Sequence, residues 1–534
     1  MKKTTLFIFA ICSVAMSYSA DKWFGENRSS SITDPTNWYR DEGRTIQADS
    51  APTAGGNQDT AIMYSEKTDW RGVYLYEKET YLYNVVITGD HHMNYGDLVL
   101  DKITYDKKVY LDIAGTLSSP IIERKSNPEI GGSLGGKTGE IVVEMTAGKI
   151  DIGTEIYGGK TFSSYGNMEI KIGSTDNRIT AWNLTVNGDI RMGGALEQYA
   201  GCVLNLVTDK VSVGGILSFA RNGSSYSNMF FSKSAIFEVG GIKSDGTDAA
   251  SNYTIHNSQG SSFNSTIVLK NAAGTVYKFT GIIADDGNNR PNISEVKAVM
   301  NVTMEGEGVQ RIFNAKDDAT DILGRQSGTY TVKNGRLFMD NSRIAADYRL
   351  ATLSLEGGKF GAGHYDSAQT GAAYFKTANF KSGGFAYENF VNHNVFDDNP
   401  SDKVIITDTF TKTEGSGKIS VDFSNASGNA LNLADYDYIL ADSAESIEMW
   451  TEILTAGELS GFNLEKRLSD GVYDANADFV AEGIENGIAV FKWVESTDNS
   501  YSLQVGFAQV PEPATVAVIF GAITLAVAMR RKMK

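Results

Sequence analysis

From about Tyr110 to Phe385 one short phrase recurs: alternating apolar residues, a glycine turn, then alternating apolar residues again. Val143, Met145, Gly148, Ile150, Ile152 is one instance, and Leu184, Val186, Gly188, Ile190, Met192 is another. Val211, Val213, Gly215, Leu217, Phe219 and Tyr330, Val332, Gly335, Leu337, Met339 repeat it. A period of two puts alternate side chains on one face of an extended chain, so each arm of the phrase predicts a strand. One turn glycine per phrase gives Gly115, Gly148, Gly188, Gly215, Gly241, Gly274, Gly308, Gly335, Gly358 and Gly384, at intervals of 23 to 40 residues. Self-similarity at a mean spacing of about 30 residues points to a solenoid.

No amphipathic helical stretch of 12 or more residues separates the phrases, which disfavours α/β wrapping and leucine-rich horseshoes. Between residues 129 and 399 the sole proline is Pro291, and proline cannot donate to a ladder. If each phrase is one coil of a parallel β-helix, ten coils stacked at ~4.8 Å make a rod of roughly 48 Å. The rival solution pairs the two arms of each phrase with one another, giving β-hairpins in a sandwich or meander. The expected class is all-β: a parallel β-helix or β-solenoid over 101–400, between β-rich caps at 21–100 and 401–509. In the C-terminal cap, Tyr438-Ile439-Leu440, Ile488 to Trp493 and Tyr501 to Val505 read as strands, and Glu445 to Thr455 as a short helix.

The ends carry addresses. Residues 1–20 open with Lys2 and Lys3, run through the apolar stretch Leu6 to Ala15 and close on small residues, the pattern of a secretory signal too short to span a membrane. Its removal leaves Cys202 as the lone cysteine, expected as a buried apolar side chain. In 510–534, Val510-Pro511-Glu512-Pro513 precedes the apolar run Ala514 to Met529 and the basic cluster Arg530, Arg531, Lys532 and Lys534. Sixteen residues of helix cover roughly 24 Å, a short transmembrane span with its cations held cytoplasmic. This ending resembles the PEP-CTERM sorting signal of Gram-negative bacteria. The resemblance implies recognition by an exosortase-type membrane protease and delivery to the cell surface, outer envelope or medium, with inner-membrane anchoring by the helix. Family members are often associated with exopolysaccharide. The tag specifies routing and leaves the activity of the body open.

Lys plus Arg number 48 against 65 Asp plus Glu, and 42 against 64 once both ends are removed, a net −22. Such a body repels phosphates and anionic lipid heads, so no nucleic-acid partner is expected. Residues 21–100 hold Trp23, Trp38 and Trp70, half of the six tryptophans. Asn37-Trp38, Pro52 and Asp59-Thr60-Ala61-Ile62 resemble the opening of autotransporter-like and PEP-CTERM solenoid proteins. A cap shielding the first coil accounts for these indoles; a platform for sugar rings is the sharper alternative, and burial separates the two.

Chemistry-bearing motifs are sparse. Gly131 to Thr138 matches both a nucleophile elbow and a phosphate loop in letters. Pro128 and Glu129 precede it, however, and a period-two run follows it, where both motifs need a strand and then a helix. His91-His92 are expected in a solvated loop, and His256, His364 and His393 as isolated surface residues. Asp285-Asp286, Asp317-Asp318 with Asp321, and Asp397-Asp398 with Asp402 read as solvated turns. Asp474, Asn476, Asp478, Glu482 and Glu485 fall on EF-hand positions, but Phe479 occupies the place of the required glycine. No catalytic residue, metal ligand or cofactor is assigned. The expected function is a non-enzymatic structural or adhesion protein at the cell surface, with an extracellular polysaccharide as candidate partner. A β-helix polysaccharide lyase or glycoside hydrolase is the alternative, and a carboxylate trio beside Arg or Lys would favour it.

Overall fold

Leu184 and Val186 are wholly buried while their neighbours Asn183 and Thr185 are half-buried: the two-residue period becomes the two faces of a strand. The computed structural model describes, with side chains, parts of 36–49, residues 179 and 183–192, and then 203–219, 227–244, 253–286, 297–313, 324–363, 370–390 and 402–510 with short gaps. Elsewhere between 21 and 257 it describes backbone strands alone. Strands dominate, most pairs are parallel, and helix among the described residues is limited to short 3-10 turns, at Ala346–Tyr348, Leu433–Asp435 and Ala444–Ser446 and at Thr36. The chain is all-β, as expected. It divides into two compact units, 1–168 with 176–187, and 169–175 with 188–534.

In the first unit, Asp21–Phe24 pairs antiparallel with Trp38–Tyr39 and parallel with Thr60–Tyr64. Parallel pairing then runs through Glu79–Thr88 and Asp97–Tyr105 to Ile121–Arg124 and Val142–Met145. A second parallel set contains Gly72–Tyr74, His91–Tyr95 and Val109–Ile113. His91-His92 therefore begin a strand and do not sit in a solvated loop, because both edges of that segment find parallel partners. Trp38 is fully buried, which favours the shielding cap at that position; the side chains of Trp23 and Trp70 lie outside the described residues.

In the second unit the strands recur in threes. Ile190–Met192, Cys202–Val207 and Lys210–Val213 are followed by Leu217–Ala220, Tyr226–Phe231 and Ile236–Val239, then by Ile242–Asp245, Asn252–Asn257 and Asn264–Leu269. Each pairs in parallel with the strand three places on, in the registers Ile190 to Leu217 to Ile242, Leu204 to Met229 to Ile255, and Val211 to Phe237 to Ile267. All nine of those side chains are fully buried. The two arms of a phrase, such as Val211–Val213 and Leu217–Phe219, thus belong to different sheets, and these phrases are not hairpins. The glycine between the arms makes the corner, and corners stack: Gly215 N donates to Gly188 O at 2.9 Å, and Gly240 N to Gly215 O at 2.8 Å.

Further along, the long strand Thr352–Ala362 pairs through Thr352–Leu355 with Thr329–Val332 and through Lys359–Ala362 with Arg336–Met339. Thr377–Ala386 and Lys403–Lys412 continue the parallel sheet. The end is antiparallel: Ile488–Glu495 pairs with Tyr501–Ala508, which pairs with Thr451–Ala456. Of the three strands expected in this cap, Ile488 to Trp493 and Tyr501 to Val505 are present; of Tyr438-Ile439-Leu440, Leu440 begins the short strand Leu440–Ala441, and Tyr438 and Ile439 lie outside the described residues. The helix expected over Glu445 to Thr455 is not. One 3-10 turn at Ala444–Ser446 is followed by the strand Thr451–Ser460, which has pairing partners on both sides. Those ladder bonds outweigh local helix preference.

Candidate functional site

Corner geometry sets a row of cations on successive strands. Val309 pairs with Arg336 and Arg336 with Lys359, so the two cationic side chains are neighbours across the sheet, and Arg311 lies one strand away beside Phe338. Three acids reach them from later in the chain. Arg336 donates through Nη2 to Asp422 Oδ2 at 2.7 Å, and Lys359 Nζ donates to the same oxygen at 2.7 Å and to Glu482 Oε2 at 2.5 Å. Glu388, with 3% of its side chain exposed, accepts from Arg311 and pairs with Arg336 Nη1 at 3.5 Å. The guanidinium of Arg311 also lies 4.8 Å from the centre of the Phe338 ring.

Register holds the acids in place. Asp422 pairs with Glu482 across adjacent strands, and Tyr387 N donates to Asp422 O at 2.8 Å, which fixes Glu388 one residue on. Burial opposes ionisation of Asp422, but hydrogen bonds from Lys359 and Ser424 and the charge of Arg336 outweigh it and hold the carboxyl below its ordinary range. Three cations and three carboxylates therefore neutralise one another in a half-buried chain. Such a network defines which strands meet more than it adds net stability, since each ion has lost its water.

Of the other buried acids, two have carboxyls pushed well upward. Asp402 accepts from Gly371 N at 2.7 Å. Burial pushes its carboxyl up to about 7; that hydrogen bond and Arg311 oppose the shift, while the charges of Asp340 and Glu388 add to it. Asp285 accepts from Met300 N at 2.9 Å, Ser327 N at 2.8 Å and Ser327 Oγ at 2.7 Å. Burial raises it to about 6 against those bonds and Arg325. The solvated turns expected for Asp285-Asp286 and for Asp402 are thus corrected to buried positions. His256 is likewise buried, stacked on Phe230 at 5.5 Å, with Nδ1 2.7 Å from Asn257 O. Burial lowers its pKa, while the Asn257 carbonyl and Asp286 act in the opposite direction.

Two of the EF-hand-like residues bond to each other, and Asp478 and Glu482 face other partners. Asp474 Oδ1 accepts from Asn476 N at 2.8 Å, Asp478 accepts from Lys412 Nζ at 2.6 Å and Asn463 N at 2.7 Å, and Glu482 belongs to the network above. Among the described residues no group of three or more His, Cys, Asp or Glu is placed to hold a metal. Val510 is exposed, whereas Pro511, Glu512, Pro513, Arg530, Arg531 and Lys532 lie outside the described residues, as do residues 1–20, the Gly131 to Thr138 stretch, His364, His393, the Asp317 cluster, and Asp397 and Asp398. No helix of the described residues is long and apolar enough to cross a membrane; the run Ala514 to Met529 is not among them.

The network of Arg311, Arg336, Lys359, Glu388, Asp422 and Glu482 was not legible in the sequence. Its one local trace is the repeat spacing of Arg336 and Lys359 after Gly335 and Gly358. No protein-family model matches the chain, and no match to it is found among the curated proteins or the solved structures.

Proposed function

We propose that the chain is an exported, non-enzymatic structural or adhesion protein of the cell surface. Its body is a β-solenoid with β-rich caps, and a PEP-CTERM tag routes it through an exosortase-type enzyme with the help of a short C-terminal transmembrane helix. The observation that carries this reading is the parallel stacking of three-strand turns, in which Ile190, Leu217 and Ile242 form one of three buried ladders. Stacking of this kind builds long polar outer faces from a repeated unit, suited to contact with an extracellular polysaccharide or envelope polymer. The test is fractionation of the native host with intact-mass analysis of both termini. Recovery at the surface or in the medium, without residues 1–20 and the basic cluster Arg530 to Lys534, is expected. A cytosolic product with both ends intact overturns the reading.

One observation favours a second reading, a β-helix carbohydrate-active enzyme: Glu388, Asp422 and Glu482 form a carboxylate trio beside Arg336 and Lys359. Against it, every member of the trio is paired with a cation, and Asp422 is held ionised, unsuited to general-acid work. Release of reducing ends or unsaturated products from a polysaccharide, lost in Lys359→Ala, would establish the enzyme.

A further inference from the structure

One outward column of uncharged hydrogen-bonding side chains crosses six neighbouring parallel strands. It runs through Thr303, Thr331, Ser354, Asn379, Thr411 and Ser460, each paired in register with the next. At a strand spacing of ~4.8 Å the column is roughly 24 Å long. The residues beside it in sequence, such as Val302, Tyr330, Leu353, Ala378 and Phe410, are buried, so the column stands on a packed base.

Two features separate this column from an ordinary polar face. Thr303, Thr331, Asn379, Thr411 and Ser460 make no side-chain hydrogen bond to a described residue, and Ser354 Oγ has only a 3.4 Å contact with Glu356. The neighbouring column is internally engaged: Thr329 N donates to Asn301 Oδ1 at 2.9 Å, the Thr352 and Thr377 hydroxyls lie 2.9 Å apart, and Thr409 reaches Glu458 at 3.4 Å. The six positions also carry no charge, in a chain that is 21% charged with a net −17. Hydroxyls and a carboxamide both donate and accept, which complements sugar hydroxyls. The six positions themselves offer an anionic polymer no cation, and the charges beside them on the same face are mixed, Lys333 paired with Glu305 and Lys381 near Glu356, within a protein whose net charge repels such a polymer.

We propose that the column from Thr303 to Ser460 binds an extended neutral polysaccharide, a partner that rests on the surface-protein reading above. Each bond is individually weak because it replaces a bond to water. Affinity therefore comes from rows engaged in sequence by one polymer, through high effective concentration. Polymers bind and their monosaccharides do not compete.

The test is native affinity electrophoresis of the purified full chain in gels containing mixed-linkage β-glucan, galactomannan or dextran, with alginate as the acidic comparison. Thr331→Lys with Asn379→Lys places two cations on the column at outward strand positions, and Glu307→Gln, exposed and off the column, is the control. Unchanged melting midpoints establish that the variants fold. The expected result is retardation in at least one neutral gel and none in alginate, a loss of tenfold or more in the double variant, and no loss in the control. Equal retardation of wild type and double variant would sink the column while leaving the surface role intact. Absence of retardation in all three neutral gels, or retardation in alginate alone, also overturns the proposal, and a cytosolic, unprocessed chain in the fractionation would remove the reading beneath it.

Discussion

The Gln310 side chain binds the backbone of Ile242 through both of its polar atoms: Nε2 donates to Ile242 O at 2.8 Å, and Ile242 N donates to Oε1 at 3.0 Å. Ile242–Asp245 is the last strand of its sheet, so the carboxamide stands where the peptide group of a next strand would be. Asn341 does the same for Tyr374, at 2.9 and 2.7 Å, and Asn476 for Phe491, at 3.2 and 3.0 Å. Buried backbone groups left without ladder partners are satisfied by an amide from a distant segment.

Gln310→Ala strands one donor and one acceptor in the interior. At roughly 1 to 3 kcal/mol for each buried group left unpaired, and some relaxation, the expected loss is about 2 to 4 kcal/mol. Gln310→Asn, one methylene shorter, recovers little of it. Urea denaturation checks this, and an unchanged midpoint for Gln310→Ala would refute the bridging role.

Glycines that looked alike in the sequence carry different loads. Gly335 has φ +56°, and a Cβ there would lie 2.4 Å from Gly306 O and 2.4 Å from Gly308 O. Gly274 has φ +75° with open space around it. Gly274→Ala should cost only the left-handed backbone penalty, about 1 to 2 kcal/mol. Gly335→Ala adds a clash with two carbonyls that are part of the stacked corners, and should lower the melting midpoint distinctly further. Equal shifts would mean that the corners are not closely stacked.

Local signals made the repeats legible. The phrase around Gly215 encodes two buried arms and a corner within nine residues, and its alternation is visible without knowledge of any partner. Whether the arms pair with one another or with the next phrase depends on contacts about 26 residues away, as in Val211 with Phe237. The charged network was hidden for the same reason: Arg336 and Asp422 are 86 residues apart. Asp402 and His256 misled in the opposite direction, since polar residues near turns read as solvated while the surrounding strands bury them.

Arg336 links Glu388 to Asp422, and both acids are almost wholly buried. Arg336→Met leaves each with one cation instead of two, and the expected destabilisation is about 3 kcal/mol, the low end for breaking a buried pair. Lys333→Met breaks an ion pair with Glu305 whose partners are both well exposed, and should change stability by less than about 1 kcal/mol. Added salt should leave the first effect nearly intact and erase the second. Matching losses in chemical denaturation would contradict the burial contrast.

Asp402 and Asp285 make stability fall as pH rises above about 4, while His256, whose pKa burial depresses, works against them by costing stability as pH falls toward its own lowered range. Burial raises them to about 7 and about 6, against about 3.9 for aspartate in an unfolded chain. The folded state therefore binds more protons than the unfolded state between these limits, and stability must fall as pH rises through them. The stabilising contribution is complete below about pH 4, declines through pH 6 to 7 and is absent by about pH 8. Asp422, held low, works in the reverse direction, losing stability only as pH drops through its own depressed range. Melting midpoints should thus peak in mildly acidic buffer. Asp402→Asn keeps an oxygen for the Gly371 amide and removes the buried ionisation, so it should melt higher than wild type at pH 8 and show a shallower decline between pH 6 and 8. A variant that melts lower at pH 8 with an unaltered slope would show that Asp402 is not the titrating group.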